Sequence, residues 1–211
     1  MMATTAKESI LKKIRQALAQ PVPVPFPASE GGESVFKPLI QELEIEFAEN
    51  FTKLQGRFSF CAGLSELAQQ LNTLATARKW TKMYCREDEL KAALNSFGFT
   101  GHEHTDLSSC EAAITTCESL IARTGSIIMS TAQQSGRTVS VYAPVHICVA
   151  FTHQLKYDIK EGLSELKEKY TDRLPSLITL ATGPSRTADI EKTLVVGVHG
   201  PKEVFCFLVD S

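Results

Sequence analysis

Apolar residues recur along this chain with two different spacings, and the alternation between them lays out the fold. In residues 5–19, Ile10, Leu11, Ile14 and Leu18 share one helical face, and Thr5 with Glu8 fits a capping box at its start. Residues 38–54 repeat the helical spacing with Ile40, Leu43, Phe47, Phe51 and Leu54. Beyond them, short apolar runs alternate with helical patterns. Strands are predicted at 57–61, 80–85, 112–115, 126–130, 145–152, 177–181 and 203–209. Helices are predicted over Leu64, Leu67, Leu71 and Leu74, over 87–95, and along Leu155, Ile159, Leu163, Leu166 and Tyr170. Residues 119–123 read as a brief helical or turn element. Near-continuous apolar strands separated by helices predict an α/β fold, with a mainly parallel sheet covered on both faces. Such sheets bind ligands outside the carboxyl ends of their strands. The segments expected there are the 182–201 loop, the Gly125 region and the 131–144 loop.

The first 36 residues stand apart. After the first helix comes Pro21-Val-Pro-Val-Pro-Phe-Pro27, a stiff extended spacer, and then the flexible pair Gly31-Gly32. Residues 1–36 are therefore expected to form an arm with a Pro-rich linker, and 37–211 a single domain. A short helix is marginal alone, so the arm is either disordered or docks its apolar stripe on a partner or a second copy of the chain. The second alternative would make a homo-oligomer.

Bulk properties narrow the class. The chain has a 43% hydrophobic and 22% charged composition and a net charge of −2, so no basic field invites nucleic acid. It has no apolar run long enough for a membrane span. The N-terminus carries Lys7, Lys12, Lys13 and Arg15 without an apolar signal core, so a cytoplasmic, bacterial protein is expected. Cys61, Cys85, Cys110, Cys117, Cys148 and Cys206 form no CxxC pair, and are expected to be reduced structural thiols. No metal or cofactor is expected on this chain: zinc and iron–sulfur spacings are absent, as are a P-loop, a GxGxxG turn and a GxSxG elbow.

Candidate chemistry concentrates near the C-terminus. In the 182–201 loop, Gly183, Ser185, Arg186 and Thr187 could present backbone N–H groups, hydroxyls and a guanidinium to a carboxylate or phosphate. The same residues also suit a strand-to-helix turn, in which Ser185 or Thr187 caps and Arg186 pairs with Asp189 or Glu191. Asp189, Glu191 and His199 could form an acid–base set, although their spacing matches no recognised metal site. Gly200 follows His199 at a turn. Gly125 and Ser126 enter a strand, where a sharp turn competes with a ligand contact. Arg137, in the polar run Gln133-Gln134-Ser135-Gly136-Arg137, is a second candidate anion ligand, and that run could lie over the ligand edge of the sheet.

These motifs together resemble one family. Thr124-Gly125-Ser126, Pro144-Val145-His146, the run from Thr182 through Gly-Pro-Ser-Arg-Thr-Ala-Asp-Ile to Glu191, and Gly197-Val-His-Gly-Pro201 resemble the LUD domain, and more closely its lactate-utilisation protein C branch. The likeness covers about residues 37–210. It implies a three-layer α/β/α fold like that of the NagB/RpiA/CoA-transferase group. It also implies an accessory or subunit role in oxidising L-lactate to pyruvate beside two iron–sulfur partner proteins, which would carry the electron centres. Ser126 stands where many relatives have threonine, and keeps the hydroxyl. The alternative expectation is an independent domain binding a carboxylate, phosphate or acyl-CoA, or a transferase-like enzyme.

Overall fold

The computed structural model describes residues 6–19, 38–190 and 193–211. The chain divides into two units, residues 1–38 and 39–211. In the first, helix α1 (Ala6–Leu18) exposes Ile10, Leu11 and Ile14. The capping residue Thr5 and the proline run lie outside the described residues.

The second unit is built on two strands buried on both faces. β6 (Val145–Phe151) pairs in parallel with β11 (Glu203–Val209) through seven register positions, from Val145 opposite Glu203 to Phe151 opposite Val209. Their side chains alternate between two cores. Ile147, Val149, Phe205, Phe207 and Val209 point into one. Cys148, Ala150, Val204, Cys206 and Leu208 point into the other. β1 (Arg57–Cys61), β3 (Ala112–Thr115) and β2 (Met83–Cys85) complete an all-parallel sheet in the order β1-β11-β6-β3-β2.

The first core is closed by α3 (Leu64–Arg78) and α4 (Asp88–Ser96), through Leu67, Leu71, Leu90 and Leu94. The second is closed by α2 (Leu43–Lys53), which inserts Phe47 and Phe51, and by a small second sheet. That sheet consists of β4 (Ser119–Ile121), β5 (Ser126–Ser130), β7 (Leu155–Lys156) and β8 (Ile178–Ala181), in the order β7-β4-β5-β8. β5 runs antiparallel to both its neighbours. Its outer face, with Ile121 and Ile128, is covered by α6 (Ile159–Lys169) through Leu166. The expected α/β/α layering therefore holds, with the small sheet inserted between the parallel sheet and α6.

Four local expectations change. Residues 119–121 form β4 rather than a helical turn, because they complete a hairpin with β5. The helix expected from Leu155 starts at Ile159, since Asp158 caps it by accepting from the Lys160 N–H at 3.0 Å and Leu155 is drawn into β7. Ile40 lies outside α2 and is 84% exposed. The 182–201 segment contains a hairpin, β9 (Arg186–Ile190) and β10 (Thr193–Val196), rather than a continuous loop.

The turn at Gly125 locks α2 to the small sheet. Gly125 has φ +59°, and a Cβ there would lie 2.5 Å from the Phe51 backbone nitrogen. Asn50 Nδ2 donates to the carbonyl of Ala122 at 3.0 Å and to that of Arg123 at 3.3 Å, closing the same junction. Gly125→Ala is expected to lower the unfolding free energy by about 3 kcal/mol, read from urea denaturation. A loss below about 0.5 kcal/mol would show that α2 yields to the added methyl.

Candidate functional site

The two ends of the parallel sheet are chemically different. The amino-terminal end is closed by the 182–202 segment. The Ser185 N–H donates to the Pro201 carbonyl at 2.9 Å, the Gly197 N–H to the Ser185 carbonyl at 3.0 Å, and the Lys202 N–H to the Pro144 carbonyl at 2.8 Å. This placement corrects the expectation that the segment leaves a carboxyl end. β8 is not part of the parallel sheet, and the segment returns to the start of β11. Gly183, Ser185, His199 and Gly200 meet there around a cavity of about 170 Å³, together with His146, Met129, Val141 and Val204.

The other sequence candidates scatter. The Arg186 guanidinium donates to the Leu54 carbonyl and so holds the hairpin to the end of α2. Gly183 has φ +82°, with space for a Cβ blocked 2.7 Å away by that same carbonyl oxygen. Ser126 is fully buried; its hydroxyl bonds those of Thr124 at 2.8 Å and Thr182 at 2.9 Å. Gly125 serves the turn described above. Arg137 is exposed and donates to the Ser176 hydroxyl at 3.1 Å. Thr187 and Asp189 lie in β9, and Glu191 is outside the described residues. Two arginines converging on one anion are therefore not found: Arg186 and Arg137 each serve a separate structural bond.

The carboxyl end carries the polar chemistry. Glu87 follows β2, Thr116 follows β3, and Glu118 links β3 to β4. Both acids are buried, Glu87 at 6% and Glu118 at 7% exposure. Glu118 Oε1 accepts from the Ser130 hydroxyl at 2.5 Å and the Tyr170 hydroxyl at 2.9 Å, while Oε2 accepts from Lys169 Nζ at 2.8 Å. A buried carboxylate with three donors, one of them a cation, is compensated. Burial works against the Lys169 ammonium, but its bond to Glu118 prevails and holds its pKa above the ordinary value. Burial, and then the same carboxylate, push the Tyr170 phenol up.

A second strand of hydrogen bonds runs through the loop after β5. Gln133 Oε1 accepts from the Ser130 N–H at 2.9 Å, and Gln133 Nε2 donates to the Thr116 hydroxyl at 3.1 Å. Thr116 donates to Glu87 Oε2 through its hydroxyl at 2.6 Å and its N–H at 2.9 Å. Glu87 Oε1 is buried and has no hydrogen-bond partner. Glu87, Thr116, Gln133, Lys169 and Tyr170 line one cavity of about 360 Å³, a volume within the range of small-molecule sites, roughly 300–1,000 Å³. Gln133 and Gln134 line this cavity at the carboxyl end of the sheet, while Arg137 in the same run does not line it and bonds Ser176. Sequence reasoning missed Glu87, Glu118, Lys169 and Tyr170. The available signal was Glu118, an acid between two apolar strands that the fold must bury. Among the described residues, no group of three or more His, Cys, Asp or Glu side chains is placed to hold a metal ion. All six cysteines are buried and free.

The fold defines an α/β domain with a ligand-sized cavity at the carboxyl edge of a parallel sheet. The family model of the LUD domain matches residues 45–209, and the chain belongs to that family. A lactate utilization protein C of Deinococcus radiodurans is 34% identical over 107 residues, 50% of this chain and 50% of that protein. One of Bacillus subtilis is 32% identical over 100 residues, 46% of this chain and 42% of that protein. An uncharacterised protein of Neisseria meningitidis is 36% identical over 84 residues, 40% of this chain and 36% of that protein. These alignments span half or less of each relative's length. The crystal structure of a DUF162 family protein from Deinococcus radiodurans shares the fold, with a TM-score of 0.58 at 19% identity, covering 79% of this chain and 96% of that one.

His146 supplies a pH test of the amino-end cavity. It is 1% exposed, bonds the Thr115 hydroxyl at 2.9 Å, and burial lowers its pKa from an ordinary 6.5 to about 4. The unfolded chain therefore binds a proton that the folded chain refuses. Stability is fully present above pH 6.5 and is lost as pH falls toward 4. Between pH 7 and 5 the loss from this group is expected to be about 2 kcal/mol. Urea midpoints of wild type and His146→Gln should diverge in slope over that interval, the variant being flatter; equal slopes would exclude His146 as the source.

Proposed function

We propose that this chain works in lactate utilisation, as an accessory protein or subunit of a bacterial cytoplasmic system that oxidises L-lactate to pyruvate beside iron–sulfur partner proteins. The observation that carries the reading is the LUD domain match across 45–209 together with relatives named lactate utilization protein C. The chemistry of the chain agrees with a division of labour. Five of its six thiols lie in the two main cores and Cys110 in a smaller cluster, all buried and packed as small apolar side chains, which supports a reading in which the partners carry the electron centres. What this chain offers instead is a polar cavity at the sheet's carboxyl edge, suited to holding a small organic acid.

The same cavity favours a second reading, a ligand-binding domain that acts without partners. The two are separated by reconstitution. Lactate-dependent reduction of a dye by the two iron–sulfur proteins is measured with and without this chain, and co-purification is scored in parallel. Omission is expected to lower the rate at least about tenfold. An unchanged rate with no co-purification would remove the subunit reading.

A further inference from the structure

We propose that the carboxyl-edge cavity is a binding site for a short 2-hydroxy acid, with Glu87 receiving its hydroxyl and Lys169 its carboxylate. The argument starts from the one incomplete group in an otherwise satisfied network. Glu118 has a donor on each oxygen, and Thr116 both donates and accepts. Among the described residues lining this cavity, Glu87 Oε1 is the buried polar atom without a partner, and Glu87 is 6% exposed; the others without one, Glu46 Oε2, the two His102 ring nitrogens and Ser119 Oγ, lie outside it. A buried acceptor without a donor is costly, and a ligand hydroxyl is the group that relieves it.

The orientation of Glu87 is set. Thr116 occupies Oε2 with two donors, and its hydroxyl is committed to that direction because it accepts from Gln133. Oε1 is therefore the oxygen left for a ligand. Lys169 lines the same cavity and spends one of its donors on Glu118. An ammonium has three donors, so it can also hold a carboxylate. Glu118 is filled by Ser130, Tyr170 and Lys169, and so takes no part in ligand contact beyond ordering Lys169. The smallest molecule with a hydroxyl donor beside a carboxylate is a 2-hydroxy acid. A 2-amino acid has the same arrangement of charge and donor; the choice of hydroxyl over ammonium rests on the lactate reading above.

The site makes a specific forecast for Glu87→Gln. The Thr116 N–H demands an oxygen at the Oε2 position, so the glutamine amide must place its NH₂ at the Oε1 position. That converts an acceptor into a donor, and the preferred ligand should change from a 2-hydroxy acid to a 2-oxo acid. The experiment is calorimetry on the full chain with L-lactate, pyruvate, propionate and L-alanine, for wild type, Glu87→Gln and Lys169→Met. Wild type should bind L-lactate about tenfold or more tighter than propionate, which lacks the hydroxyl. Glu87→Gln should reverse the order of L-lactate and pyruvate, and Lys169→Met should weaken all the acids together. Equal affinity for L-lactate and propionate, tighter binding of L-alanine than of L-lactate, or binding of none of the four, would overturn the assignment. Absent binding with the omission effect intact overturns this site alone. Intact binding with no omission effect overturns the subunit reading alone.

Discussion

β6 and β11 lie parallel over seven register positions, with side chains buried in a core on each face. That enclosure dictates the rest of the domain. Two buried faces need two covers, so α3 and α4 close one side while α2 and the small sheet close the other. Because the pairing is parallel, both strands start at one end and finish at the other, giving the sheet two unlike edges. The chain seals the starting edge with the 182–202 segment through backbone hydrogen bonds. At the finishing edge, short side chains and buried acids from several loops converge instead.

Most of the layered fold was legible because burial writes itself into the apolar pattern. The alternation of Ile147, Cys148, Val149 and Ala150 between two cores appears in the sequence as an unbroken apolar run. What the pattern could not reveal was the second sheet. β4 and β7 have three and two residues, too short to carry a period; β4 forms as the hairpin partner of β5, and β7 because β4, distant in sequence, pairs with it. The start of α6 failed for a related reason. Leu155 has the spacing of the helix behind it, but Asp158 provides a cap and Leu120 a strand neighbour.

The candidate site was less legible than the fold. The run from Gly183 to Gly200 drew attention because glycines, prolines and charged residues are expensive between buried strands. That cost is explained by close packing: Gly183 against Leu54, Gly200 against Ser185 and Arg186 on a backbone carbonyl. An identifying motif and a binding motif look alike in one sequence, since both demand residues that cannot be exchanged freely. Apart from Glu118 and the Gln133 run, the residues of the carboxyl edge have no local signature. Glu87, Thr116, Gln133 and Lys169 come from four separate stretches, and only the fold brings them to one cavity.

The position of that cavity across the two sheets has a mechanical side. Glu87 is carried by the end of β2, in the parallel sheet, whereas Lys169 and Tyr170 end α6, which rides on the small sheet. Within the protein, the two walls are tied through Gln133 and Ser130, a bridge of single hydrogen bonds. A molecule held at both walls acts as a strut between them. The proposed acid would thus add a tie across the seam between the parallel sheet and the small sheet with α6, beside the protein's own hydrogen bonds.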